Sequence, residues 1–126
     1  MRKLFFVFAF AFVLVSCDNY GKKVKINDTL EVYLKGDNVN ENEARKLGHY
    51  ITELSGNAKN KKSFQLSRDV EKFIVKMVVD KDKLKADTSL DESFVALKTL
   101  LEANVFNNRP VKFTVTDDHF KDLKSY

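Results

Sequence analysis

From residue 30 onward the apolar residues keep changing period, and the order of those changes restricts the folds open to the chain. Leu30, Val32 and Leu34 alternate with Glu31, Tyr33 and Lys35, the period of a half-buried strand. Gly36-Asp37-Asn38 ends that run. Asn40 followed by Glu43 resembles a capping box, and Ala44, Leu47, Ile51 and Leu54 then recur at helical spacing up to Gly56. His49 lies about 200° around such a helix from Leu47, which predicts exposure. Phe64 and Leu66 alternate with Ser63 and Gln65, and Ser67-Arg68-Asp69 reads as a turn. Residues 71–79 carry the strongest strand pattern, with Phe73, Val75, Met77 and Val79 on one face and Ile74, Lys76 and Val78 on the other. Asp80 to Thr88 reads as a charged loop. Ser89-Leu90-Asp91-Glu92 then has the S-x-x-E form of a capping box and opens a helix with Leu90, Phe94, Leu97, Leu101 and Val105 inward. Asn107-Asn108-Arg109-Pro110 breaks it. Val111, Phe113 and Val115 form a last strand, and Asp117 is placed to cap a short helical turn holding Phe120 and Leu123.

The resulting order is β-α-β-β-α-β. Right-handed crossovers would lay both helices on one face of the sheet, and strands with one strongly apolar side ask for a single helical layer. The expectation is therefore an α+β protein: a ferredoxin-like βαββαβ two-layer sandwich, its four-stranded mixed sheet in the order 4-1-3-2.

The N-terminal segment is of another kind. Met1-Arg2-Lys3 is a short positive start, and Leu4 to Val15 is an unbroken apolar run of 12 residues. As a helix that run would reach about 18 Å, short of a hydrocarbon core of about 30 Å, so it fits a signal-peptide h-region better than a membrane span. It ends in Leu14-Val15-Ser16-Cys17, followed by Asp18-Asn19-Tyr20-Gly21. This resembles the lipobox of bacterial lipoproteins. The resemblance implies cleavage before Cys17, acylation of its thiol, usually of its new amine as well, and a protein tethered to a membrane of the bacterial cell envelope. Asp18 resembles an inner-membrane retention signal of some bacteria. The chain then divides into a cleaved signal peptide at 1–16, a lipid-anchored tether at 17–28, with Val24 and Ile26 as candidates for a short edge strand, and an α+β domain at 29–126.

The body resembles a small uncharacterised bacterial envelope module. The likeness rests on Val32-Tyr33-Leu34-Lys35, Lys46-Leu47-Gly48-x-Tyr50, Lys62-Ser63-Phe64-Gln65-Leu66 and Val75-Lys76-Met77-Val78-Val79. It continues in Val105-Phe106-Asn107-Asn108-x-Pro110-Val111 and Asp117-Asp118-x-Phe120. It implies a discrete envelope domain and carries no activity.

No catalytic constellation stands out. His49 and His119 lie on separate elements, and one Cys excludes a disulfide framework. Asp117, Asp118 and Asp122 suit capping and turn chemistry better than a cation site, and Asp80-Lys81-Asp82-Lys83 alternates charge where a calcium loop needs acids. The net charge of +4 is partly that of Arg2 and Lys3, too little for a nucleic-acid footprint. Residues 71–78 also lack the basic-Gly-aromatic pattern of RNA-recognition domains. The expected function is a lipid-anchored, non-enzymatic binding or accessory module with no cofactor and no metal. It would contact the membrane through its lipid and, beyond that, an envelope protein or a second copy of itself. The other reading is an envelope enzyme or small-ligand receptor. The candidate interaction face is the sheet side opposite the helices, with Tyr33, Ile74 and Val78.

Overall fold

The computed structural model describes residues 20–56 and 60–126. The strands are β1 (Lys22–Asn27), β2 (Leu30–Leu34), β3 (Lys62–Asp69), β4 (Lys72–Val78), β5 (Val111–Thr116) and β6 (Asp122–Ser125). The helices are α1 (Glu41–Ser55) between β2 and β3, and α2 (Lys81–Ala86) and α3 (Leu90–Asn104) between β4 and β5. They build one six-stranded mixed sheet whose spatial order is the order of the sequence.

The α+β class holds; the four-stranded ferredoxin-like sandwich does not. Two strands are added at the edges, and β2 pairs directly with β3 in parallel, as does β4 with β5. A 4-1-3-2 order needs each crossover to skip a strand, and here neither does.

The crossovers also depart from expectation in hand. β3 and β4 are antiparallel, so the pairs β2–β3 and β4–β5 run in opposite senses while both step the same way along the sheet. Helices α1 and α3 nevertheless share one face: Asn104 of α3 donates to the Tyr50 hydroxyl of α1 at 3.1 Å. Two crossovers related in that way have opposite hands, so one of them is left-handed, against the usual rule.

Register explains the core. Val32, Phe64, Met77 and Val115 form one row across the sheet, and Leu34, Leu66, Val75 and Phe113 the next. Their side chains meet Ala44, Leu47 and Ile51 of α1 and Phe94 and Leu101 of α3 in a single cluster. Gly48 allows α1 to close on β1, because a Cβ there would collide with the Ile26 side chain. The capping box at α1 forms as read: the Asn40 side chain accepts from Glu43 N–H, and Glu43 accepts from Asn40 N–H.

The one at α3 does not. Ser89 makes no capping bond, and its N–H and hydroxyl instead bond to Asp87. Asp80 caps α2 through the N–H groups of Asp82 and Lys83, so part of the expected charged loop is helical. Leu54 is 51% exposed rather than inward, whereas His49 is exposed as expected.

Both edge strands arise from turns. Asn27 accepts from the Thr29 N–H and hydroxyl, which closes the β1–β2 hairpin on Val24 and Ile26. Asp117 accepts from the N–H groups of His119 and Lys121, and Phe120 sits at φ 58°. Together they make a tight loop into β6 in place of the expected helical turn. Among the described residues no helix is long and apolar enough to cross a membrane.

Candidate functional site

The sheet face opposite the helices was the expected working surface, and the structure closes its middle. Tyr33 packs edge-to-face on Tyr20 and on Phe120, with ring centroids 5.8 and 5.7 Å away, and Tyr20 and Phe120 are 5.1 Å apart. Tyr20 lies just before β1 and Phe120 just before β6, so the three rings draw the two edges of the sheet together across that face. The Tyr20 hydroxyl is 3.0 Å from His119 Nδ1, and the Tyr20 carbonyl accepts from the Gln65 amide at 3.0 Å. Gly21 makes this approach feasible: its φ is +102°, and a Cβ there would collide with the Leu34 carbonyl.

Beneath the rings the face is polar and satisfied. Glu31 is buried, where it accepts from the Tyr33 and Ser63 hydroxyls at 3.1 and 3.0 Å and pairs with Lys23 and Lys61 at 3.2 and 3.4 Å. Burial pushes its carboxyl up, but the Ser63, Lys23 and Tyr33 hydrogen bonds and the Lys23 charge outweigh that and hold it below its ordinary value. Thr114 and Ser125 share a hydrogen bond, and Lys76 reaches Asp122 at 2.8 Å.

The three predicted surface residues are therefore not brought together. In the expected order Tyr33 would lie on a strand beside Ile74 and Val78; β3 intervenes, and Tyr33 faces Gln65 and then Lys76. Ile74 pairs with Ser67 and Lys112 near one end of the sheet, and Val78 pairs with Thr116 at the other. Both are half-buried. Cys17, the expected lipidation site, lies outside the described residues.

Open space lies instead at the two ends of the sheet, beyond the carboxyl ends of the parallel pairs. Beyond β4 and β5, a shallow groove runs between Val78, Leu84 and Phe94 and mixes Lys61, Lys81 and Lys83 with Asp80, Asp117 and Asp118. Beyond β2 and β3 is a cleft of about 330 Å³ between the first turns of α1, the β3–β4 hairpin and the end of α3. Its floor is Phe73 stacked on Phe106 at 4.3 Å, with the Arg68 guanidinium 5.0 Å above the Phe73 ring. Sequence reading missed this cleft, since Arg68 sat in a presumed turn and Phe106, just before the 107–110 break, was assigned to neither the core nor a site. Among the described residues no three His, Cys, Asp or Glu side chains are grouped so as to hold a metal ion.

The elements that frame both ends, β1 through β6, are matched almost end to end by one family model, AF_1994_N, described as a family N-terminal domain and covering residues 23–126. The chain belongs to that family. The AF_1994_N match takes in β1 from its second residue and runs through β6. No curated protein and no solved structure matches the chain.

Proposed function

We propose that this AF_1994_N domain is a lipid-anchored envelope protein, acylated on Cys17, that acts by binding. The observation that carries the reading beyond the lipobox resemblance is the docking of Tyr20. Its ring, hydroxyl and carbonyl are all engaged by the domain. Only Asp18 and Asn19 stand between it and Cys17. Three residue steps span at most about 11 Å, so a lipid on Cys17 would hold the ring-covered face of the sheet close against the bilayer. Two or three acyl chains make such an anchor effectively permanent. A binding role is favoured over catalysis because the sequence offers no paired nucleophile and base. The partners on this reading are the membrane and either an envelope protein or a second copy of the chain; nucleic acid is not among them.

Intact mass of the protein purified from membranes is the test. The expected product starts at Cys17 and carries acyl chains, and Cys17→Ala leaves an uncleaved precursor without them. A native protein lacking acyl mass, or a variant still cut before residue 17, overturns the proposal.

A further inference from the structure

The cleft between α1 and α3 has a chemical character that anchoring does not use. Three of the side chains that line it are cations, Lys46, Arg68 and Arg109, against a single carboxylate, Glu43. That carboxylate is occupied, because it accepts the Asn40 N–H in the α1 capping box. None of the three cations forms an ion pair with a described residue. Arg68 is the notable member. Its Nε is the one buried side-chain nitrogen or oxygen among the described residues that has no hydrogen-bond partner. Buried polar groups are nearly always satisfied, so this lone exception beside an open cleft has a hydrogen bond left to make.

The shape of the site narrows the ligand. The Arg68 guanidinium lies over the Phe73 ring, its central carbon 5.0 Å from the ring centroid. A guanidinium presents its donors in a planar fork that matches two oxygens of one oxyanion. Asn40 and Asn107 add amide groups to the lining. Asn107 and Asn108, both left-handed with φ of 55° and 65°, turn the chain between Phe106 and Arg109 so that both border the cleft. Phe73 and Phe106 supply an apolar floor. The geometry points to a binding site for a small oxyanion, a carboxylate or a phosphate group, held by the Arg68 guanidinium and neutralised by Lys46 and Arg109. The site does not depend on the lipid at Cys17.

The test is titration of the ¹⁵N-labelled full chain in a non-ionic detergent with inorganic phosphate, with acetate and with chloride, all at constant ionic strength. Saturable shifts confined to residues 40–46, 68–73 and 105–109 are expected with phosphate or acetate, and not with chloride. Phosphate alone saturating assigns a phosphate site, acetate alone a carboxylate site, and both a general oxyanion site. Arg68→Met keeps the stem over Phe73 and should weaken binding at least tenfold. Lys46→Gln and Arg109→Gln should each weaken it about two- to fivefold, whereas Lys112→Gln on the opposite face should change nothing. If Arg68→Met fails to fold, the double change Lys46→Gln with Arg109→Gln replaces it, with a tenfold loss expected. Shifts that never saturate, that chloride reproduces, or that persist unchanged in these variants overturn the proposal.

Discussion

The two faces of this sheet are sealed by different chemistry. On the helical side, rows of aliphatic and aromatic residues meet α1 and α3, and stabilisation comes from apolar burial. On the other side Glu31, Gln65, Thr114 and Thr116 are also buried; Glu31 bonds to the Tyr33 hydroxyl and Gln65 to the Tyr20 carbonyl, while Thr114 bonds to Ser125 and Thr116 to the Asp117 carbonyl. The difference teaches that a strand pattern of alternating apolar and polar residues identifies the helical face without implying that the polar face is open to water. A polar face can be covered provided each group finds a partner, and here loops do the covering.

The largest expected effect separates the faces directly. Phe113→Ala on the helical side should cost about 3–5 kcal/mol in denaturant unfolding, since it removes a fully buried ring and leaves a cavity between Phe94 and the sheet. Phe120→Ala on the other side should cost less, about 2 kcal/mol, because a loop can settle into the space. Equal losses would show that the three rings are a second core as rigid as the first.

Glu31→Gln should come next, at about 1–2 kcal/mol, because the buried amide accepts from the Tyr33 and Ser63 hydroxyls less strongly than the carboxylate and no longer attracts Lys23 and Lys61. The native carboxyl is held below its ordinary value of 4.5. Its contribution is therefore present above that pH and is lost as the pH falls through the lowered native value. Acid unfolding curves of Glu31→Gln should lack that part of the slope; an unchanged curve would mean the buried carboxylate is electrostatically idle.

On the helical side the matching titration is alkaline. Burial and the hydrogen bond to Asp91 push the Tyr126 phenol up to about 12. A raised phenol contributes stability below its ordinary value of 10 that is lost as the pH rises from there towards 12. Ultraviolet titration should show one tyrosine ionising late, and Asp91→Asn should bring it earlier.

The smallest effect lies between the faces, at the β3–β4 turn. Val70 is 84% exposed and adopts φ 49°, a conformation that β-branched residues strongly disfavour. Val70→Gly should stabilise the hairpin by about 1 kcal/mol, read as a raised midpoint of unfolding.

Much of the interior was legible. β2, β4 and β5 were read from period 2, α1 from its capping box and spacing, and the inward set Phe94, Leu101 and Val105 from helical recurrence. All of these are local signals. The edges were harder because lysines dominate them: Val24 and Ile26 are apolar residues interleaved with Lys23 and Lys25, a pattern equally suited to a solvated tether. Asp117 and Ser89 have capping chemistry, but a left-handed Phe120 and a competing Asp87 redirect it. Strand order is non-local. Nothing in β2 or β3 states whether α1 returns the chain beside its starting strand or beyond the next one. The α1–α3 cleft was invisible for the same reason, since its three cations come from α1, β3 and the turn after α3.

Neighbours in this sheet are always neighbours in the chain, and that bears on how the protein can be assembled as it is made. A chain emerging N-terminus first can add each strand to the last one laid down, and no formed pair has to reopen to admit a later strand. A 4-1-3-2 sheet lacks that freedom, because its third strand must enter between the first and second. Successive growth keeps loop closures short, which favours fast folding. It also leaves a bare edge at every stage, and the contact between Tyr20 and Phe120, which joins the segments before the first and the last strand, can form only after β5 has been laid down.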